Sequence, residues 1–164
     1  MLVNACELAL LVLLLVGAGF DLFVFRLPNW LTLATALAAT LLIVARGTGL
    51  TDLAWHLGFA ALVFGIGLIL FRLNMFGGGD VKWLAALAIW IGPNLDFVRF
   101  FLMMGIAGGV LAAIVLVIRR LRPGYGSEGT RTNLPYGVAI AVAGLEFWLR
   151  KGAIAGTIAG LLAG

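Results

Sequence analysis

The sequence predicts an all-α fold, a polytopic membrane bundle of about six transmembrane helices. Three observations predict it. Of the 164 residues, 63% are Ala, Val, Ile, Leu, Met, Phe, Trp, Tyr or Cys and only 11% are charged, against about a quarter in a soluble domain. A chain of this size exposes too much surface for so few polar groups to cover. The apolar residues fall in long charge-free runs, and the runs are parted by Pro, Gly, Asn and Asp, the residues that punctuate helices. This composition excludes a water-soluble monomer and a disordered chain. With Cys6 the only cysteine, it also excludes an intrachain disulfide scaffold.

A span needs roughly 20 apolar residues to cross about 30 Å of hydrocarbon. On that scale the chain divides into spans at about 6–25, 29–45, 53–71, 79–92, 98–118 and 134–149, forming a single membrane-embedded domain. The first run is broken only by Asp21; because no basic residue precedes Glu7, it reads as a membrane helix and not as a secretory signal. Pro28-Asn29 opens the second span and Thr51-Asp52 the third. The fourth has only 13 charge-free residues, 83–95, and reaches a useful length if its helix begins at the glycines before Asp80. Gly92-Pro93-Asn94 separates it from the fifth. Asn133-Leu134-Pro135 opens the sixth, which carries Glu146 near an interface. The tail, 152–164, would cover about 20 Å as a helix, so it either lengthens the sixth span or lies at the interface. The longest polar loop is expected over 119–133.

The formal charge of +4 does not point to nucleic acid, because the basic residues lie between apolar runs and not on one face. They act as topology signals. With six spans, one side holds Arg26, Arg72, Lys82, Arg119, Arg120, Arg122 and Arg131, and the other Arg46, Arg99, Arg150 and Lys151. The positive-inside rule then puts the N-terminus outside and the Arg-rich loop in the cytoplasm. The cluster at 119–122 reads first as a topology anchor and second as a site for anionic lipid. Trp30, Trp55, Trp83, Trp90 and Trp148 lie near span ends, as membrane-interface aromatics do. His56, alone in an apolar helix, reads as an interface residue, and Cys6 as an apolar filler. No metal and no cofactor is expected: hard cations want six or more oxygens and zinc wants Cys, His and carboxylate ligands, while only two acids converge.

Those acids are Asp21 and Asp80. An ionisable side chain in hydrocarbon is costly and asks for a reason. Asp21 lies about one helical turn inside the membrane from Arg26, and Gly17, on the same face, allows another helix to come close. Its plainer reading is an acid that snorkels to the interface or pairs with Arg26 or Arg72. Asp80 follows Gly77, Gly78 and Gly79, and its plainer reading is the N-cap of the fourth helix. Three glycines exceed what a cap needs, since they also bare the backbone to a close neighbour. Lys82 is either an interface anchor or a charge that biases Asp80. By the topology above, both acids lie at one membrane depth. Two carboxylates close together in a poorly solvated place share a proton, and such a pair can activate a water and protonate a leaving group.

These residues resemble a known family. Gly77-Gly78-Gly79-Asp80 fits the Gly-x-Gly-Asp signature of intramembrane aspartic peptidases. Together with an earlier acid followed by Arg26-Leu27-Pro28-Asn29, it is similar to the type IV prepilin peptidases. The string Leu-Pro-Tyr-Gly-Val-Ala-Ile-Ala at 134–141 resembles the short form that serves the tight-adherence (Flp) pili. The resemblance implies that Asp21 and Asp80 are the catalytic pair, and that the substrate is a prepilin. It places cleavage after a glycine that ends a short basic leader, in a cleft near the cytoplasmic face of a bacterial inner membrane. Gly77, Gly78 and Gly79 would suit that glycine, and Pro135, Tyr136 and Gly137 would shape the cleft or simply open the sixth helix. Larger relatives carry a domain with paired cysteines that methylates the new N-terminus; with Cys6 alone, cleavage without methyl transfer is expected.

Two other readings compete. In a small proton- or ion-coupled transporter, Asp21 would be a relay site and the glycines before Asp80 an unwound binding segment. A non-catalytic subunit of a pilus assembly is the third. No motif fixes an oligomeric state, and the lipid bilayer is the one partner common to all three readings.

Overall fold

In a computed structural model, which describes residues 1–121 and 136–151, the chain forms helices α1 (Leu2–Val24), α2 (Asn29–Ala45), α3 (Leu50–Arg72), α4 (Gly78–Ile91), α5 (Leu95–Leu121) and α6 (Tyr136–Arg150). Among the described residues 87% are helical and none is in a strand. Three helices, Leu2–Val24, Leu50–Arg72 and Leu95–Ile118, are long and apolar enough to cross a membrane. Residues such as Leu15, Leu37, Ile69, Leu102 and Leu116 stand exposed on the outside, the surface a bilayer requires.

The helix breaks follow local chemistry. α1 stops where Phe25 turns left-handed, with φ 52°, and its amide returns to the Asp21 carbonyl at 3.2 Å. Pro28, extended at φ −70° and ψ 145°, starts α2. Gly92, with φ 80°, ends α4 in a conformation that a side chain would resist. The expected spans ended where charges begin, and several helices run further. α5 starts at Leu95 with Asp96 in its first turn, where the positive helix end favours an acid. It continues through Arg119 and Arg120, which therefore belong to a helix and not to the expected loop. Pro135, most of that loop and the tail 152–164 lie outside the described residues.

α4 organises the bundle. Its 14 residues rise only about 21 Å, less than the hydrocarbon thickness, and Val81 and every residue from Trp83 to Ile91 are buried. α2, α3 and α6 surround it, α1 bridges α2 and α6, and α5 leans on α6. Trp83 is fully buried: its indole lies against Gly17 of α1, where any side chain would overlap it, and Nε1 donates to Thr35 Oγ1 at 3.2 Å. The Gly17 face thus receives a neighbour as the sequence predicts, but the neighbour is a tryptophan. Trp90 and Trp148 are buried as well, so only Trp30 and Trp55 remain as exposed interface aromatics. The reason is that other helices enclose α4, which carries Trp83 and Trp90, and that Trp148 of α6 packs in the same core.

The ends of the bundle differ in charge. At the end away from Asp21, Arg46 pairs with Glu7 at 2.7 Å, Arg99 with Glu146 at 2.8 Å, and Arg150 and Lys151 with Asp96 at 2.5 and 2.7 Å. Every basic residue assigned to that side is therefore matched by an acid. His56 is structural there: its Nδ1 lies 2.7 Å from the Ile89 carbonyl, and its ring packs on Gly92. Cys6 is buried in the core.

Candidate active site

Asp21 occupies the last turn of α1 and is only 6% exposed; with Thr35 it makes up the buried polar residues of the described core. A buried carboxylate must find donors. Here they come from the start of α6: the Gly137 amide donates to Asp21 Oδ2 at 2.6 Å, and the Val138 amide lies beside it. Gly137 is required by space, because a Cβ there would sit 2.8 Å from both Cβ and Cγ of Asp21. Neither Arg26 nor Arg72 pairs with Asp21. Of the plainer readings of Asp21, pairing with Arg26 or Arg72 is therefore set aside.

Asp80 is the third residue of α4, not its cap. Gly77, extended at φ −72° and ψ 141°, is the N-cap, and the Asp80 carboxyl folds back over it towards the Gly77 amide. A Cβ on Gly77 would come within 2.6 Å of Asp80 Oδ2. This is half of a capping box, with the acid one turn inside the helix. The other two glycines admit different neighbours: Gly78 faces the Phe71 ring, 3.3 Å from where its Cβ would stand, and Gly79 faces Leu27 at 3.2 Å.

Asp21 and Asp80 line one cavity of about 850 Å³ at this end of the bundle. Gly77, Gly78, Gly79, Lys82 and Tyr136 line the same space, so the expected site residues within the described segments converge, while Gly137 stands behind Asp21. Tyr136 stacks on Phe76 with ring centroids 5.3 Å apart. Lys82 directs its ammonium to Asn29 Oδ1 at 3.1 Å, towards α2 and not towards Asp80. Asn29 read in the sequence as helix punctuation and as the end of the Arg26-Leu27-Pro28-Asn29 string, with no role of its own; its place directly after Pro28, at the head of a helix that faces Lys82, is the signal that marks it. Phe71 and Phe76, the apolar walls, carried no signal that separates them from core residues.

Two carboxyl groups in an open cavity at the end of a membrane bundle define a membrane-embedded protein equipped for acid–base chemistry. The sequence model of the type IV leader peptidase family matches residues 8–118, and the chain belongs to that family. It is a membrane peptidase, and its family implies a prepilin substrate in general. The match includes Asp21, Arg26 to Asn29 and Gly77 to Asp80, and stops before Tyr136 and Gly137. The comparisons with curated proteins and with solved structures gave no match.

Proposed function

We propose that the chain is an aspartic endopeptidase in which Asp21 and Asp80 activate a water to remove the leader of Flp-like prepilins. The observation that carries this reading is the meeting of both carboxyl groups, from helices far apart in sequence, in one cavity. One acid is ionised and the other holds the shared proton. The ionised carboxylate takes a proton from a water whose oxygen attacks the scissile carbonyl carbon, while the other carboxyl gives its proton to the carbonyl oxygen. Collapse of the resulting diol, with a proton passed to the amide nitrogen, breaks the C–N bond and releases an amine and a carboxylic acid. The two acids supply every proton transfer.

The cavity faces the cytoplasm in this reading. The bases of the opposite end are neutralised by Glu7, Asp96 and Glu146, whereas Arg26, Arg72 and Lys82 form no ion pair among the described residues. Excess positive charge marks the cytoplasmic side of an inner membrane. The Flp assignment rests on the string at 134–141, of which Gly137 holds Asp21. The absence of methyl transfer rests on Cys6 being the only cysteine, buried away from the cavity.

Co-expression with a pilin precursor, read by the mass of the pilin, tests the proposal. Asp21→Asn and Asp80→Asn should each leave the leader in place, with a loss of about 10²–10⁴-fold or more as expected for a missing acid or base, while the protein still enters the membrane. Normal processing by either variant rules out the pair. Acid-dependent solute uptake with no change in pilin length would favour a transporter instead.

A further inference from the structure

A second, wholly apolar groove of about 330 Å³ lies between α3, α4 and α5. Ile66 and Leu70 of α3 form one wall, Val98 and Leu102 of α5 the other, and Val81 and Leu84 of α4 the floor. Phe59 and Phe97 meet edge to face at 4.8 Å at the end away from the catalytic cavity, so the groove begins below them. Gly67 lets α3 lie low against α4, since a Cβ there would be 2.5 Å from Val81 Cγ1. Ile66, Val98 and Leu102 are each more than half exposed, so the groove opens sideways, towards lipid.

Its other end is Phe76, which also lines the cavity that holds Asp21 and Asp80. A membrane-inserted substrate must place its scissile bond in that cavity while the apolar segment after the bond stays in the bilayer. The groove offers such a segment a continuous apolar path along α4. A second furrow, between α2 and α3, also reaches the cavity, but Lys82 and Asn29 stand at its junction. An apolar helix passing there would strip water from the Lys82 ammonium and the Asn29 amide, whereas at Phe76 it meets a ring.

We propose that the groove between α3 and α5 seats the apolar helix of the leader-bearing substrate and guides its scissile bond past Phe76 to the two acids. The proposal rests on the peptidase reading. The first test is cross-linking in membrane vesicles, in a Cys6→Ala, Asp80→Asn background that keeps the substrate uncut. Single cysteines at Ile66 or Leu102, oxidised against single cysteines along the apolar helix of a pilin precursor, should give a peptidase–pilin adduct. A cysteine at Leu33, in the rival furrow, should not. Adducts from Leu33 alone, peptidase–peptidase adducts from Leu102, or none from either groove position overturn it.

The second test fills the groove in the active enzyme with Ile66→Trp and Leu102→Trp together. kcat/KM for the full precursor should fall about tenfold or more, as loss of the burial of one or two apolar side chains implies, and that for a short peptide spanning the leader junction should stay within about twofold. Equal treatment of both substrates overturns the groove and leaves the peptidase standing. Failure of the unmodified protein to cut the precursor removes the peptidase reading itself.

Discussion

Gly137→Ala isolates the contact that holds the first acid. The new methyl carbon would stand 2.8 Å from Asp21 Cβ and Cγ, and ordinary contact begins at 3.4 Å, so the carboxyl group or the start of α6 must give way by at least about 0.6 Å. Both are confined, because Gly137 is buried and its amide holds Asp21 Oδ2 at 2.6 Å. A misplacement of about 1 Å costs roughly 10²-fold in rate, so cleavage should drop about 10- to 100-fold, or about 1.4–2.7 kcal/mol of transition-state stabilisation. The assay follows conversion of a pilin precursor by purified enzyme in vesicles, with thermal unfolding measured on the same sample. Gly19→Ala is the control: nothing lies within 4 Å of its added carbon, and its rate should match the parent. If Gly137→Ala cuts at the parental rate while remaining folded, Asp21 does not need the α6 amide and the site is assembled differently.

Two further perturbations separate scaffold from chemistry. Gly17→Leu drives a side chain into the Trp83 indole and should cost about 1–3 kcal/mol of stability, seen as a lower unfolding temperature; an unchanged temperature would mean that α1 does not pack on α4 as described. Excess EDTA should leave precursor cleavage unchanged, because among the described residues the cavity brings together two carboxylates and no His or Cys, too few donors for a zinc site; loss of activity restored by added zinc would contradict the acid pair.

The parts of the fold that depend on one-dimensional pattern were legible. Charge-free runs and Pro, Gly and Asn breaks located six helices, because a membrane span must be apolar over its whole length and must satisfy its own backbone. The boundaries at Leu50 and Leu95 were not, and α5 runs past the expected end at 118, because a helix tolerates Asp52, Asp96 and Arg120 where the sequence reading stopped at charge. Burial was read least well. Trp83, Trp90 and Trp148 carry the residue type of an interface belt, and nothing local reveals that α4 is enclosed by three other helices. At the site, counting spans put Asp21 and Asp80 at one depth, and the family resemblance, not the span count, paired them. The position of Asp80 inside the first turn of α4 was legible in part: the expected span 79–92 contains it, while its reading alone was the N-cap, a place that Gly77 takes instead.

The short length of α4 and the placement of the acids have one physical explanation. A carboxylate inside a membrane bundle costs roughly 2.5–3.5 kcal/mol on insertion scales. A helix that ends inside the bundle brings its positive end, about half a charge, to that depth, which a helix running clear across would carry out to water. α4 begins at Gly78, and its starting turn and Tyr136 of α6 face the cavity. The α4 start presents about half a positive charge, and the Gly137 amide adds a charge-assisted hydrogen bond worth about 1.5–3 kcal/mol to a carboxylate. Arg26 and Lys82 are exposed, so water and salt screen them. The fixed field thus falls short of offsetting two negative charges. In the proposed mechanism, two acids placed in it keep one charge and one proton between them, the state that cleavage by an activated water requires.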